Sequence, residues 1–79
     1  MSDGLIRISG DCARALRAEI EARGLTQLDV DHRAGLGEGH TSKILNGKKN
    51  PTVETLVSIL DVLNLDLAFA AREMAEPPR

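Results

Sequence analysis

The chain has almost no aromatic side chains, with Phe69 alone and neither Tyr nor Trp among its 79 residues. Stacking nucleobases on aromatic platforms has nothing to work with, which argues against an RNA-recognition sheet or an oligonucleotide-binding barrel. Cysteine is nearly absent as well. Cys12 is alone, so no intrachain disulfide can form, and together with His32 and His40 it fits no zinc-ligand spacing. The first 20 residues carry Asp3, Arg7, Asp11, Arg14, Arg17 and Glu19, leaving no unbroken apolar segment for a signal peptide, and no run approaches the ~20 residues of a membrane span. The expectation is a cytoplasmic protein without membrane contact.

Leu, Ile, Val and Phe make up 21 of the 79 residues, above the ~20% below which highly charged chains tend to stay disordered. The chain should fold as one small, aliphatic-cored domain over residues 1–79. Its expected parts are an arm or strand over 1–10, a helical core over 11–64, a dimerisation element over 65–75 and a frayed tail over 76–79. A domain of this size buries only ~60% of its unfolded surface, so association with a second subunit is the remaining source of stability once disulfide and metal are excluded. Net charge is −2, without the strong basicity of many nucleic-acid binders. Its distribution is uneven: residues 1–52 hold eight Lys or Arg against seven Asp or Glu, and residues 53–79 hold two against five. From Lys43 to Lys49 there are three lysines and no carboxylate, which makes a small basic edge.

Ser9-Gly10-Asp11 offers capping groups before Ala13, Leu16 and Ile20, and Arg23-Gly24 closes a first helix over about 11–23. Thr26-Gln27-Leu28-Asp29 fits a capping box, which starts a second helix that Gly35 ends early. A third short helix is expected from about Glu38 to Leu45, with Thr41, Ile44 and Leu45 inward and Asn46-Gly47 as its stop. Pro51-Thr52 opens a fourth, with Val53, Leu56, Ile59, Leu60 and Leu63 as its apolar stripe. Beyond Asn64, Leu65, Leu67 and Phe69 alternate with Asp66, Ala68 and Ala70, a period of two that suits a strand over about 65–70. A second β-leaning run, Leu5-Ile6-Arg7-Ile8, lies within residues 4–8, and the two would pair with each other or across a dimer. The competing reading extends residues 65–75 as a fifth helix. The fold class is therefore all-α, four or five helices, with short terminal strands left open.

Two short helices joined by a Gly turn over residues 26–47 allow one helix to cross the DNA backbone while the next enters the major groove. By pattern alone this arrangement also suits any helical hairpin. The stretch TQLDVDHRAGLGEGHTSKILNGKKNPTVETLVSIL resembles the lambda-repressor-like (Cro and phage-repressor) helix-turn-helix family, over residues 11–64 with the flanking helices included. The matching marks are Thr26-Gln27, Ala34-Gly35, Ile44, Asn46-Gly47 and Pro51-Thr52 before Leu56 and Leu60.

The resemblance implies a sequence-specific regulator of transcription on double-stranded DNA, by default a repressor and a homodimer. It implies phosphate contacts from Gln27 and Asn46 and base reading from Glu38, Gly39, Ser42 and Lys43; Lys48 and Lys49 would add sequence-independent attraction to phosphate, and His40 either touches phosphate or packs partly against the second helix. Lys43 suits guanine O6 and N7, and Glu38 suits cytosine N4, unless its role is to favour the helix dipole. Dimer contacts are expected from Leu63, Leu65, Leu67 and Phe69. The sequence departs from the family at Asp31, where a small residue is usual, and at Thr41, where an aliphatic one is usual. A carboxylate at that helix contact needs partners, so Asp31 is expected to bond to the turn or to the third helix and orient it.

No nucleophile, phosphate-cradling loop or third metal ligand accompanies Asp29, Asp31, His32 and His40, so catalysis, a metal, a cofactor or a small-molecule ligand is not expected. The rival reading is an interaction module whose main partner is a second regulatory protein, as in antitoxins with this family resemblance. The acidic C-terminal end and the Leu65, Leu67, Phe69 set favour it.

Overall fold

The structure is a computed structural model and describes residues 4–74. Ser9 starts the first helix, α1 (Gly10–Ala22), its hydroxyl accepting the Cys12 N–H at 3.1 Å. Cys12, Ala13, Leu16 and Ile20 lie on its buried face, the three- and four-residue steps bringing them to one side. Thr26 and Asp29 close the capping box of α2 (Gln27–Ala34) in both directions: the Thr26 hydroxyl takes the Asp29 N–H at 3.0 Å and the Asp29 carboxylate takes the Thr26 N–H at 2.8 Å. A hydroxyl cap of this kind also opens α4 (Val53–Val62), where Thr52 accepts from the Thr55 N–H. Between them lies α3 (His40–Leu45), only six residues long. The last helix is α5 (Leu67–Met74).

Four helices end in the same way. Gly24, Gly35, Gly47 and Asn64 have φ of 68°, 73°, 76° and 58°, and the N–H of the next residue turns back to the helix: Leu25 to Ile20 O, Leu36 to Asp31 O, Lys48 to Lys43 O, and Leu65 to Leu60 O. This six-to-one closure satisfies carbonyls that the helix leaves unpaired. The positive φ explains the glycine between α2 and α3, since a β-carbon there would be strained.

The expected strand over 65–70 is not formed, and the fifth-helix reading is the one observed. Leu65 belongs to the closure of α4, and the Asp66 carboxylate accepts the Phe69 N–H at 3.3 Å as the cap of α5. Leu67, Phe69 and Ala70 then fall on a helix, with Phe69 and Ala70 buried and Leu67 exposed. The alternation that suggested a strand came from two helical motifs placed end to end. Nor does the N-terminal run pair with residues 65–70. Among the described residues it makes one isolated antiparallel bridge, Leu5 with Thr52, with the Ile6 N–H donating to Pro51 O at 2.7 Å. The tail over 76–79 and residue 75 of the dimerisation element lie outside the described residues.

The core is aliphatic and shared by all five helices of the described residues, with Leu16, Val30, Leu56, Ile59, Leu60 and Leu63 inaccessible to water or nearly so. Each such side chain contributes about 1.5–3 kcal/mol relative to exposure. Packing of α4 on α2 and of α5 on α1 forms the base from which α3 is presented, α3 itself touching α1 and α2. Val53, expected in the stripe of α4, is instead exposed at its first turn.

Candidate nucleic-acid interface

The turn between α2 and α3 is organised by one carboxylate. Asp31 lies on the buried side of α2 with no exposed surface. Its Oδ1 accepts the Thr41 N–H at 2.8 Å and the Thr41 hydroxyl at 2.6 Å, and its Oδ2 accepts the Gly39 N–H at 2.8 Å. Burial acts to push this carboxyl up, but the bonds from Thr41 and Gly39, with His40 nearby, outweigh it and hold it below the ordinary carboxylate range. The two residues that depart from the family pattern thus satisfy each other, as the sequence led us to expect of Asp31. Thr41, also without exposed surface, is its main partner.

This lock explains why α3 starts at His40 and not at Glu38. Gly39 has φ of 87° and stands at the cap position, where no side chain supplies the capping bond; the Asp31 carboxylate on the neighbouring helix takes the free N–H groups of residues 39 and 41 instead. Glu38 consequently sits in the turn, its Oε2 2.9 Å from His32 Nε2, with both side chains more than half exposed.

On the outer side of α3, Lys43 is exposed and Ser42 is half-buried. The chain folds back after α3 so that the N–H groups of Lys48 and Lys49 both meet the Lys43 carbonyl, at 2.8 and 3.2 Å. The three lysines therefore share one edge, and among the described residues none of them makes an ion pair. Asn46 is exposed just past α3, and Gln27, half-buried in the first turn of α2, lines a cleft of about 220 Å³ with Thr26 and Arg17. His40 is half-buried at the start of α3.

Arg17 was not among the residues singled out by sequence. It reaches from α1 to the end of α3, 28 and 29 residues along the chain, donating from Nη2 to Leu45 O at 2.9 Å and to Asn46 Oδ1 at 2.7 Å. No local spacing announces such a contact. His32, weighed by sequence only as a metal or catalytic group, was likewise not expected beside Glu38.

Of the four residues assigned to a dimer contact, Leu63 has no exposed surface and Phe69 only 9%, so both serve the core of their own chain. Leu65 is half-buried and Leu67 is 44% exposed. These two line a mainly apolar cleft of about 420 Å³ between α4 and α5, together with Val57, Leu60, Asp61 and Asp66. Among the described residues, no three His, Cys, Asp or Glu side chains gather closely enough to hold a metal ion, and no helix is long and apolar enough to cross a membrane.

Residues 16–69 match the helix-turn-helix family. Two curated relatives come from Sinorhizobium fredii, each named as an uncharacterized HTH-type transcriptional regulator. The chain is 32% identical to y4dL over 59 residues, which are 75% of this chain and 30% of that protein. It is 37% identical to y4dJ over 43 residues, 54% of this chain and 56% of that protein. The chain thus spans less than a third of the first relative and little more than half of the second. With α2, the glycine turn and α3 arranged as described, and with the family match covering all three, this chain belongs to the lambda-repressor-like helix-turn-helix DNA-binding family.

Proposed function

We propose that this chain regulates transcription by binding duplex DNA sequence-specifically, as a homodimer that represses by occupying a near-palindromic operator. The observation that carries the reading is the presentation of α3: its inner face is pinned to α2 by Asp31, while Lys43 on its outer side and Lys48 and Lys49 just after it make no ion pair among the described residues. A major groove about 12 Å wide accepts one helix held in this way.

Lys43 and Ser42 read base edges from α3. Gly39 lets the backbone approach the DNA closely, and Glu38 reads from the turn. Gln27, Asn46, His40, Lys48 and Lys49 engage phosphates on either side, supplying affinity and register without sequence preference. In the dimer, two copies of α3 lie about 34 Å apart on successive turns of one DNA face. The α4–α5 cleft is the surface proposed for self-association, with Leu65 and Leu67 making the contact and Leu63 and Phe69 supporting it from beneath.

Selection of bound sites from random duplex DNA at two salt concentrations tests the proposal. Lys43→Ala is expected to relax base preference, and Gln27→Ala to weaken all sites alike. Failure to enrich any sequence, with affinity insensitive to salt, would overturn it. One observation favours a second reading, a module that binds another regulatory protein: Asp61 and Asp66 beside the exposed Leu67 would suit an apolar and basic partner surface. Stable co-purification of a second polypeptide would establish that reading.

A further inference from the structure

Arg17 Nη2 carries two hydrogens, and it gives one to the last-turn carbonyl of Leu45 and the other to Asn46 Oδ1. An arginine only donates, so the amide end that faces it must be the oxygen. Asn46 Nδ2 is then turned the other way, where it donates to Ser42 Oγ at 3.3 Å and keeps a second hydrogen on the exposed surface. The sense of that amide matters, because a phosphate only accepts: Nδ2 presented outward attracts it, and Oδ1 presented outward repels it. The order Arg17 to Asn46 to Ser42 also makes the Ser42 hydroxyl the acceptor of the Asn46 amide, so its own proton is not used in that bond.

From this geometry we propose that Arg17 is the positioning residue of the DNA contact, setting which end of the Asn46 amide faces the phosphate and closing the end of α3 with the same nitrogen. The inference rests on the DNA-binding reading above and assigns Arg17 a part in it that acts through Asn46.

The test is a double-mutant cycle on one bound duplex, combining Arg17→Met with Asn46→Ala, alongside Arg17→Lys and Asn46→Asp. Arg17→Met is expected to weaken binding on the order of tenfold, as for loss of one net hydrogen bond. In the Asn46→Ala background the same substitution should change affinity by less than about twofold, because the positioned group is gone. Arg17→Lys, which can only donate, should restore most of the loss. Asn46→Asp keeps the bond to Arg17 but offers phosphate an acceptor, so it should bind more weakly than Asn46→Ala. A loss from Arg17→Met that persists undiminished without Asn46, or Asn46→Asp binding as well as the parent, would overturn the proposal.

The side-chain amide resonances of Asn46, followed by NMR without DNA, supply a second measurement. They should move in Arg17→Met and stay near the parent positions in Arg17→Lys, and unchanged resonances in Arg17→Met would also overturn it. If the parent chain binds no duplex DNA, the function reading fails, and this measurement still decides whether Arg17 orients the amide.

Discussion

Replacing Asp31 by Ala tests the element that holds α3 in place. The substitution removes the acceptor for three donors, two of them on Thr41, which has no exposed surface, and one on the partly buried Gly39 N–H. A buried donor left without a partner costs about 1–3 kcal/mol. The Gly39 N–H can turn to water, so the two Thr41 donors dominate, and the expected loss is about 3 kcal/mol. Against the roughly 4–12 kcal/mol available to a chain of this size, that is a large fraction, equivalent to a fall in Tm of about 12–24 °C.

Asp31→Asn separates the two oxygens. It can keep Oδ1 toward Thr41 but sets an amide donor against the Gly39 N–H, so about half the loss is expected. The charge adds a pH signature. The folded carboxyl is held below its ordinary value, so its contribution is fully present above the unfolded pKa of about 4 and is lost as pH falls through the folded value. Parent protein should lose stability in that acid range more steeply than Asp31→Asn. Thermal melts followed by circular dichroism at neutral and acid pH make the comparison. If Asp31→Ala melts within about 2 °C of the parent, the reasoning fails, and α3 must be held by its apolar contacts alone.

Gly35→Ala should cost about 1 kcal/mol although the space around Gly35 is open, because the penalty lies in φ of 73° and not in a clash; a melt equal to the parent's would show that the turn relaxes. Thr26→Ala should destabilise the chain by about 1 kcal/mol yet leave the Asp29 carboxyl below its ordinary value, since the residue-26 backbone N–H that chiefly lowers it survives the substitution and only the side-chain part is lost; an NMR titration showing Asp29 back at its ordinary value would refute this. Leu67→Glu should shift the proposed dimer to monomer in sedimentation equilibrium without changing the melt of the subunit, whereas a variant that remains dimeric would remove the α4–α5 cleft from the interface. Phe69→Ala is the poorer probe of association, because a nearly buried aromatic removed from the core costs about 3–5 kcal/mol in its own right.

Much of the fold was legible because its signals are local. The Thr26 to Asp29 box and Gly35 bracket α2 within ten residues, and each bond they make spans no more than a helical turn or two. The same kind of signal was present but overlooked at Asn64-Leu65, which repeats the pairing of left-handed residue and leucine seen at Gly24-Leu25 and Gly35-Leu36. Read that way, Leu65 ends a helix and Asp66 caps the next, and no alternation remains to suggest a strand. For the candidate interface, the resemblance supplied positions along α2 and α3, but not the neighbours that give them their orientation.

Composition and local spacing determined an aliphatic all-α chain with a short-helix, glycine-turn, short-helix segment, because caps, turns and helical periodicity act over a few residues. Where α3 begins, which way the Asn46 amide faces, and that Leu63 and Phe69 are spent on the subunit's own core were decided only by the tertiary structure. Each of these depends on groups distant in sequence meeting in space: Asp31 with Gly39 and Thr41, Arg17 with Leu45 and Asn46, and α5 with α1. Such contacts form only once the helices have packed, so no window of neighbouring residues carries them.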